Sequence, residues 1–223
     1  MKRIEYAHLT FVEVSDLDHH NAYNAWHQLT FEPELSTVQP VVRADRWVVS
    51  PDCRDYSTVR DARYADVHYV EAILVDNDRD GFERALDSLD SRMSRVPHPR
   101  FDAITFTEAV YRLTDIETAP RIKVSEHAMP HRPHLGVFVV VERESRTHAS
   151  LLEMPGVAGV AHFAPLRDAE ENGYVSIYWL DEDPIDLALP MIKELRGQGD
   201  QSQNVTYATA AETIFPWEWD WFE

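Results

Sequence analysis

His8 and Glu71 are the residues of this chain best suited to exchange a proton. A carboxylate beside an imidazole orients the ring and stabilises its charged form, and burial moves both pKa values toward working range. Strand periodicity brings them together. In the segment 4–14, Ala7, Leu9 and Phe11 form an apolar set that suits packing under helices, which leaves Tyr6, His8, Thr10 and Val12 on the other face. In 67–76, Val70, Ala72 and Leu74 suit the helix side, leaving Tyr69, Glu71 and Ile73 opposite. If the two strands are neighbours, Tyr6, His8, Tyr69 and Glu71 line one polar patch of an interior. His8 and Glu71 would then be the catalytic pair, Tyr6 or Tyr69 a hydrogen-bond donor to a developing oxyanion, and Thr10 and Trp47 further substrate contacts. The alternative is that these groups satisfy each other in an inert core, since buried polar groups need partners whatever their function.

Other groups offer less. Among eleven histidines, His127, His131 and His134 have spacings of four and three, but Pro130 and Pro133 interrupt the helix that a metal-binding pair would need. His19 and His20 would diverge on a helix. No metal site is expected, and no motif selects a haem. Cys53, flanked by acids with Arg54 the one adjacent cation, reads as an incidental thiol. There is no glycine-rich phosphate loop and no nucleophile elbow. The aromatic stretch Phe215-Pro216-Trp217-Glu218-Trp219-Asp220-Trp221-Phe222 reads as packing over a groove or an oligomer contact, with a lid or a ligand-stacking surface as the functional alternative.

The elements that must position these residues are written twice. Residues 67–95 give an apolar strand, an acidic turn and an amphipathic helix, and 174–198 repeat that order. In the first half, a strand over 4–14 is followed by a helix over about 17–29 with Ala22, Tyr23, Trp26 and Leu29 on one stripe, ended by Pro33. A strand over 41–50, a PDCRD turn, a strand over 67–76, an Asp76-Asn77-Asp78 turn, a helix over 80–95 and a strand over 102–113 complete the unit. That helix places Phe82, Ala85, Leu86 and Leu89 together. After a connector, the second half repeats the order from His134, with a first strand, Val137 to Val141, apolar on both faces. Two βαββαβ units imply an α+β fold of two ferredoxin-like repeats, 1–118 and 134–223 joined by 119–133, packed sheet to sheet as an α/β barrel with helices outside.

One stretch resembles a known signature. Tyr23-Asn24-Ala25-Trp26-His27, Pro33-Glu34-Leu35, Val38-Gln39-Pro40-Val41 and Ala44-Asp45-Arg46-Trp47 are similar to the aromatic helix, proline turns and A-x-R-Y strand of EthD-like proteins of the dimeric α/β-barrel superfamily. A fainter version recurs at Met154-Pro155-Gly156-Val157 and Val160-Ala161-His162-Phe163. Phe31 stands where the family pattern has a histidine, and Val41 where it has the turn glycine. The resemblance implies a cavity for small, often aromatic or polyketide-like compounds, in a superfamily of monooxygenases, cyclases and dehydratases.

Bulk properties narrow the partners. The formal net charge of −18 repels phosphate backbones and anionic bilayers, so neither nucleic acid nor membrane is an expected partner. With one cysteine there is no intrachain disulfide, and the first residues read as a strand rather than a signal peptide, so a cytoplasmic location is expected. The functional expectation is a small-molecule enzyme of EthD-like type, without organic cofactor, using acid/base chemistry on a small hydrophobic or aromatic compound in the barrel. A non-catalytic binding protein and a metal- or haem-dependent enzyme are the alternatives. Exposed sheet edges leave room for a homo-oligomer.

Overall fold

A computed structural model describes residues 3–76, 79–93, 104–166, 172–215 and 218–222. The expected turn at Asn77-Asp78, the start of the strand at 102–103, the side chain of Ala85, and Pro216 and Trp217 lie outside the described residues.

Among the described residues, nine strands form one antiparallel sheet: β1 (Tyr6–Val14), β2 (Val41–Val48), β3 (Thr58–Val59), β4 (Tyr69–Val75), β5 (Ile104–Thr118), β6 (Gly136–Glu142), β7 (Val157–Pro165), β8 (Tyr174–Leu180) and β9 (Val205–Thr213). Their spatial order is β2-β4-β1-β5-β7-β8-β6-β9-β3, and β2 also pairs with β9. That last pairing, Trp47 with Thr213 and Val48 with Glu212, closes eight strands into a ring and leaves β3 as a flap on β9. Within the ring, β5-β1-β4-β2 and β9-β6-β8-β7 each run in the ferredoxin-like order. The fold is an α+β barrel in which each four-stranded run supplies the other's missing edges.

The helices are α1 (His20–Trp26), α2 (Glu32–Leu35), α3 (Pro51–Asp55), α4 (Arg79–Met93), α5 (Ala149–Leu152) and α6 (Pro184–Gly197). Several differ from the sequence expectation. Pro33 does not end the first helix: a π-helical turn over His27–Phe31 joins α1 to α2, and Pro33 falls in the first turn after it, where a missing N–H is tolerated. The stripe that faces inward is His20, Tyr23, Asn24 and His27, all buried, while Ala22 and Leu29 are exposed. The PDCRD segment is a short helix, its first turn capped by Ser50 Oγ accepting from the Cys53 N–H. β5 continues to Thr118, past the expected strand end at 113, because Asp115–Thr118 pair with β7 and make the second seam of the barrel.

The largest correction concerns which face of the strands looks inward. Phe11 meets Tyr64 at 5.0 Å and Tyr207 of β9 at 5.9 Å between ring centroids. β9 lies three strands away around the ring, so this contact crosses the interior. Leu9, Phe11, Val70, Ala72 and Leu74 therefore fill the barrel, in one core with Val137–Val141. Tyr6, His8, Thr10, Tyr69, Glu71 and Ile73 point outward, under the helices: His8 lies 6.2 Å from the Phe82 ring of α4, and Ile73 packs against Leu35, Phe82 and Leu89. The pattern misled because the apolar set suits either covered face.

Candidate functional site

The outward polar residues of β4 and β2 meet the inward stripe of α1. Tyr69 Oη lies 2.8 Å from His20 Nδ1 and accepts from Asn24 Nδ2 at 2.9 Å. With Asn24 donating, the Tyr69 hydroxyl proton goes to His20, which leaves the His20 N–H on Nε2. Asn24 Oδ1 accepts from Arg46 Nη2. The Arg46 guanidinium lies over the Tyr69 ring at 4.4 Å and the Tyr23 ring at 4.8 Å, a cation–π arrangement on two sides. Arg46 and Glu71 are directly opposite across the β2–β4 ladder. Glu71 Oε1 lies 3.0 Å from His27 Nε2.

These groups are almost fully removed from water: His20 and His27 are 2% exposed, Asn24 0%, Glu71 6% and Arg46 8%. Burial pulls the pKa of His27 down, and nearby Arg46 pulls it further, against the opposing pull of Glu71. Burial alone would raise Glu71, but His27 and Arg46 together hold its carboxyl below the ordinary value. The state that reconciles both is an ionised Glu71 balanced by Arg46, with His27 neutral and donating through Nε2. His27 Nδ1 is then a lone-pair acceptor, and it is buried without a hydrogen-bond partner. Three donors of the same cluster are also unpartnered: His20 Nε2, Arg46 Nε and Arg46 Nη1.

Beside His20 stands His68, with ring centroids 4.8 Å apart. Its Nδ1 accepts from the Val14 N–H at 3.2 Å, so it too is a neutral ring with a defined tautomer. Burial lowers His20 to about 4, helped by Arg54 and Arg46, and lowers His68 to about 3, helped by Arg54 and His20. Phe222 covers the pair, stacked on His20 at 4.1 Å and edge-on to His68 at 5.0 Å and to Tyr69 at 6.0 Å.

The residues expected at a site from sequence divide. Glu71 and Tyr69 are in the cluster. His8 is not the partner of Glu71: it stands one diagonal away on the same face, its Nδ1 3.5 Å from Thr10 Oγ1 and its Nε2 3.6 Å from Glu108. Thr10 is directly opposite Glu71, and Tyr6 packs farther along the face near Leu35 and Phe82. Trp47 belongs to the core on the other side of β2, its Nε1–H donating to His134 Nε2 at 2.9 Å. Sequence reasoning missed His20, Asn24 and His27. Their spacing with Tyr23 is i, i+3, i+4, i+7, the period of a buried helix face, and polar residues holding that period were the available signal.

The C-terminal half differs at matching positions. Its register pairs His162 with Ser176 where the first half pairs Arg46 with Glu71. His162 Nδ1 lies 2.8 Å from Ser176 Oγ, and its Nε2 3.4 Å from Glu117. A second buried pair, His148 Nε2 to Glu142 at 3.0 Å, is completed by Gln198 on His148 and Asn204 on Glu142. That pair is fully satisfied and serves packing. Among the described residues, no group of three or more His, Cys, Asp or Glu is placed to hold a metal ion, and no helix is long and apolar enough to cross a membrane.

No family model matches the chain, and neither does any curated protein. Solved structures do. A variant of chlorite dismutase from Candidatus Nitrospira defluvii aligns over 100% of this chain and 97% of its own, at 5% identity and a TM-score of 0.55. A candidate monooxygenase from Fusobacterium nucleatum aligns over 96% and 94%, at 10% identity and a TM-score of 0.53. An anthrone oxidase-like protein aligns over 95% and 92%, at 12% identity and a TM-score of 0.52. At such identities the likeness is one of fold, that of the ferredoxin-like α/β barrel.

Proposed function

We propose that this chain is a small-molecule enzyme of EthD-like type that, at the α1–β4 cluster, removes a proton from a carbon next to a carbonyl, or conjugated with it through an aromatic ring, of a hydrophobic or aromatic compound. The observation that carries the reading is His27: a neutral buried imidazole, its Nε2–H held by Glu71 at 3.0 Å and its Nδ1 without a partner. A carboxylate that fixes the tautomer and steadies the imidazolium is what a histidine general base needs. In the step, His27 Nδ1 takes the proton and the C–H electron pair moves onto the carbonyl oxygen. The unpartnered N–H groups of Arg46 stabilise the enolate oxygen, with His20 Nε2–H as a further donor. Glu71 keeps the catalytic part expected of it, now through His27. Tyr69 positions His20, and His8 and Thr10 form the adjoining wall. Trp47 acts from behind the cluster, in the packing that fixes β2, and Tyr6 from farther along the same face, in the packing that fixes β1. No organic cofactor enters this chemistry.

The structural neighbours whose names denote oxidation of small molecules support the substrate scale. We also read the chain as a tandem repeat, 1–118 and 134–223 about a connector at 119–133. The support is register: Tyr6 opposite Val75 and Arg46 opposite Glu71 correspond to Gly136 opposite Leu180 and His162 opposite Ser176. A cytoplasmic location and assembly into a homo-oligomer are part of the same proposal.

The test is proton exchange. Incubated with anthrone in heavy water, the wild-type chain should accelerate exchange of the methylene protons, which lie across the central ring from the carbonyl and are acidified by it through the flanking aromatic rings. His27→Gln should lower that rate by about 10²–10⁴-fold. The rate should fall as pH drops through the lowered pKa of His27 and level off above it. Binding of anthrone with no exchange by the wild type would make this a binding protein and end the enzyme reading.

A further inference from the structure

The α1 cluster also indicates what its ligand looks like. The buried polar atoms of the cluster without partners are mostly donors: Arg46 Nε and Nη1 and His20 Nε2, against the one acceptor His27 Nδ1. Such atoms call for oxygen lone pairs rather than N–H groups. The guanidinium of Arg46 supplies the positive charge among these donors, held over the Tyr69 ring at 4.4 Å and the Tyr23 ring at 4.8 Å.

The shape comes from Phe222. Its ring lies 25° from parallel to His20 at 4.1 Å, closing the cluster from the solvent side while remaining half-buried itself. Residues 218–222 belong to no helix or strand. Side chains hold them: Trp219 Nε1–H donates to Gln28 Oε1 at 2.6 Å, and Trp219, Trp221 and Phe222 pack on Val12, Tyr23, Val48 and Tyr69. A segment without ladder hydrogen bonds opens at far lower cost than the sheet beneath it.

We infer that the site binds a planar aromatic compound bearing an anionic oxygen, such as a phenolate or aryl carboxylate, and that the ligand's ring replaces Phe222 against His20. The oxygen meets the Arg46 and His20 donors. Phe222 is therefore a competitor supplied by the chain, and affinity is reduced by the fraction of time it holds the position. This rests on the site chosen for the proposed function and deepens it, but it is read by binding, not by turnover.

The experiment is calorimetric titration of the full chain with 1-hydroxy-2-naphthoate, cyclohexanecarboxylate and 1-naphthylmethylammonium. The naphthoate should bind; the non-planar acid and the ring with a cation should bind at least tenfold more weakly. Phe222→Ala should tighten the naphthoate by about tenfold, by removing the competitor. Arg46→Lys, which keeps the charge but loses the fork of N–H donors, should weaken it by about tenfold. Phe222→Leu, which keeps apolar bulk without a stacking face, should fall between wild type and Phe222→Ala if the alanine variant folds poorly. Unchanged or weaker affinity in both Phe222 variants, equal binding of the aromatic cation, or no binding of the naphthoate would each overturn the inference. Naphthoate binding as described with no anthrone exchange would refute only the acid/base reading. Exchange by the wild type with equal affinities in the Phe222 variants would refute only this one.

Discussion

Lowering the pH from 8 to 5 should destabilise this protein by several kcal/mol through buried neutral histidines, among them His20 and His68. His20 and His68 are neutral and buried, with pKa values lowered to about 4 and about 3 against an ordinary 6.5. A histidine depressed in the folded state binds its proton more tightly when unfolded, so stability is complete above pH 6.5 and lost as pH falls toward the folded value. At pH 5 each shift corresponds to a loss of about 2 kcal/mol relative to pH 8, and at pH 4 to about 3 kcal/mol. Together they predict a loss of about 4 kcal/mol at pH 5, a large share of the roughly 5–15 kcal/mol by which a domain is stable. Transient opening of the segment over Phe222 lets water reach the rings, so this figure is an upper one. His148 works the other way: its bond to Glu142 raises its pKa despite burial, so its contribution is present below 6.5 and lost as pH rises through the raised value. The assay is urea unfolding at pH 8, 6.5, 5.5 and 5, for the wild type and for His20→Gln, His68→Gln and the double variant. The wild type should lose at least 2 kcal/mol from pH 8 to 5, each single variant less than the wild type, and the double variant least. A wild-type curve flat over that range, or a double variant that loses as much as the wild type, would refute the assignment of two neutral buried rings.

Two further outcomes follow from named contacts. Removing one member of the Arg46–Glu71 cross-strand pair, as Arg46→Met or Glu71→Gln, should cost about 3–5 kcal/mol, while the double variant should be much closer to wild type; additive losses in a four-protein urea cycle would show that the two charges do not compensate each other. Gly136→Ala should lower the melting temperature sharply, because a Cβ there would run into the Ala211 carbonyl and the Pro184 ring; Gly197→Ala, with nothing within 4 Å, is the matched control and should leave it unchanged or slightly higher.

How much of this was legible in the sequence depends on whether local pattern or closure decided the outcome. Strand and helix order was legible, because the runs 67–76 and 174–180 alternate as strands and 80–95 as a helix, and these periods survive folding. The facing of β1 was not. Ala7, Leu9 and Phe11 are as apolar as a helix-covered face requires, and only the Phe11–Tyr207 contact across the ring distinguishes the two choices. Glu71 was legible as a polar residue forced to find a partner, but the partner was not. His8 was the nearest candidate along the strands, whereas His27 arrives on a helix whose π turn re-aims its side chains. Pro33 concealed that turn, since a proline in a helical pattern ordinarily marks its end.

The closure of the ring also bears on why chemistry should reside in one half. Both halves present the same cross-strand position to their helices, Arg46 opposite Glu71 and His162 opposite Ser176. What differs is the cover. In the first half, α1, the π turn and α2 run continuously from His20 to Leu35 and bring four side chains down onto β4. In the second, α5 is four residues long, and its buried side chain is Leu151. His162 is therefore left to Glu117 from β5, a strand of the other half, and the Glu117 carboxylate stays 38% exposed. A carboxylate so exposed is screened by water and has little hold on the imidazole's pKa. The dry environment that makes His27 and Arg46 unusual comes from the length of the covering helix, not from the strands. Lengthening the second cover without changing the strand residues would be expected to bury His162, whereas shortening the first at the π turn would be expected to wet His27 and return its pKa toward 6.5.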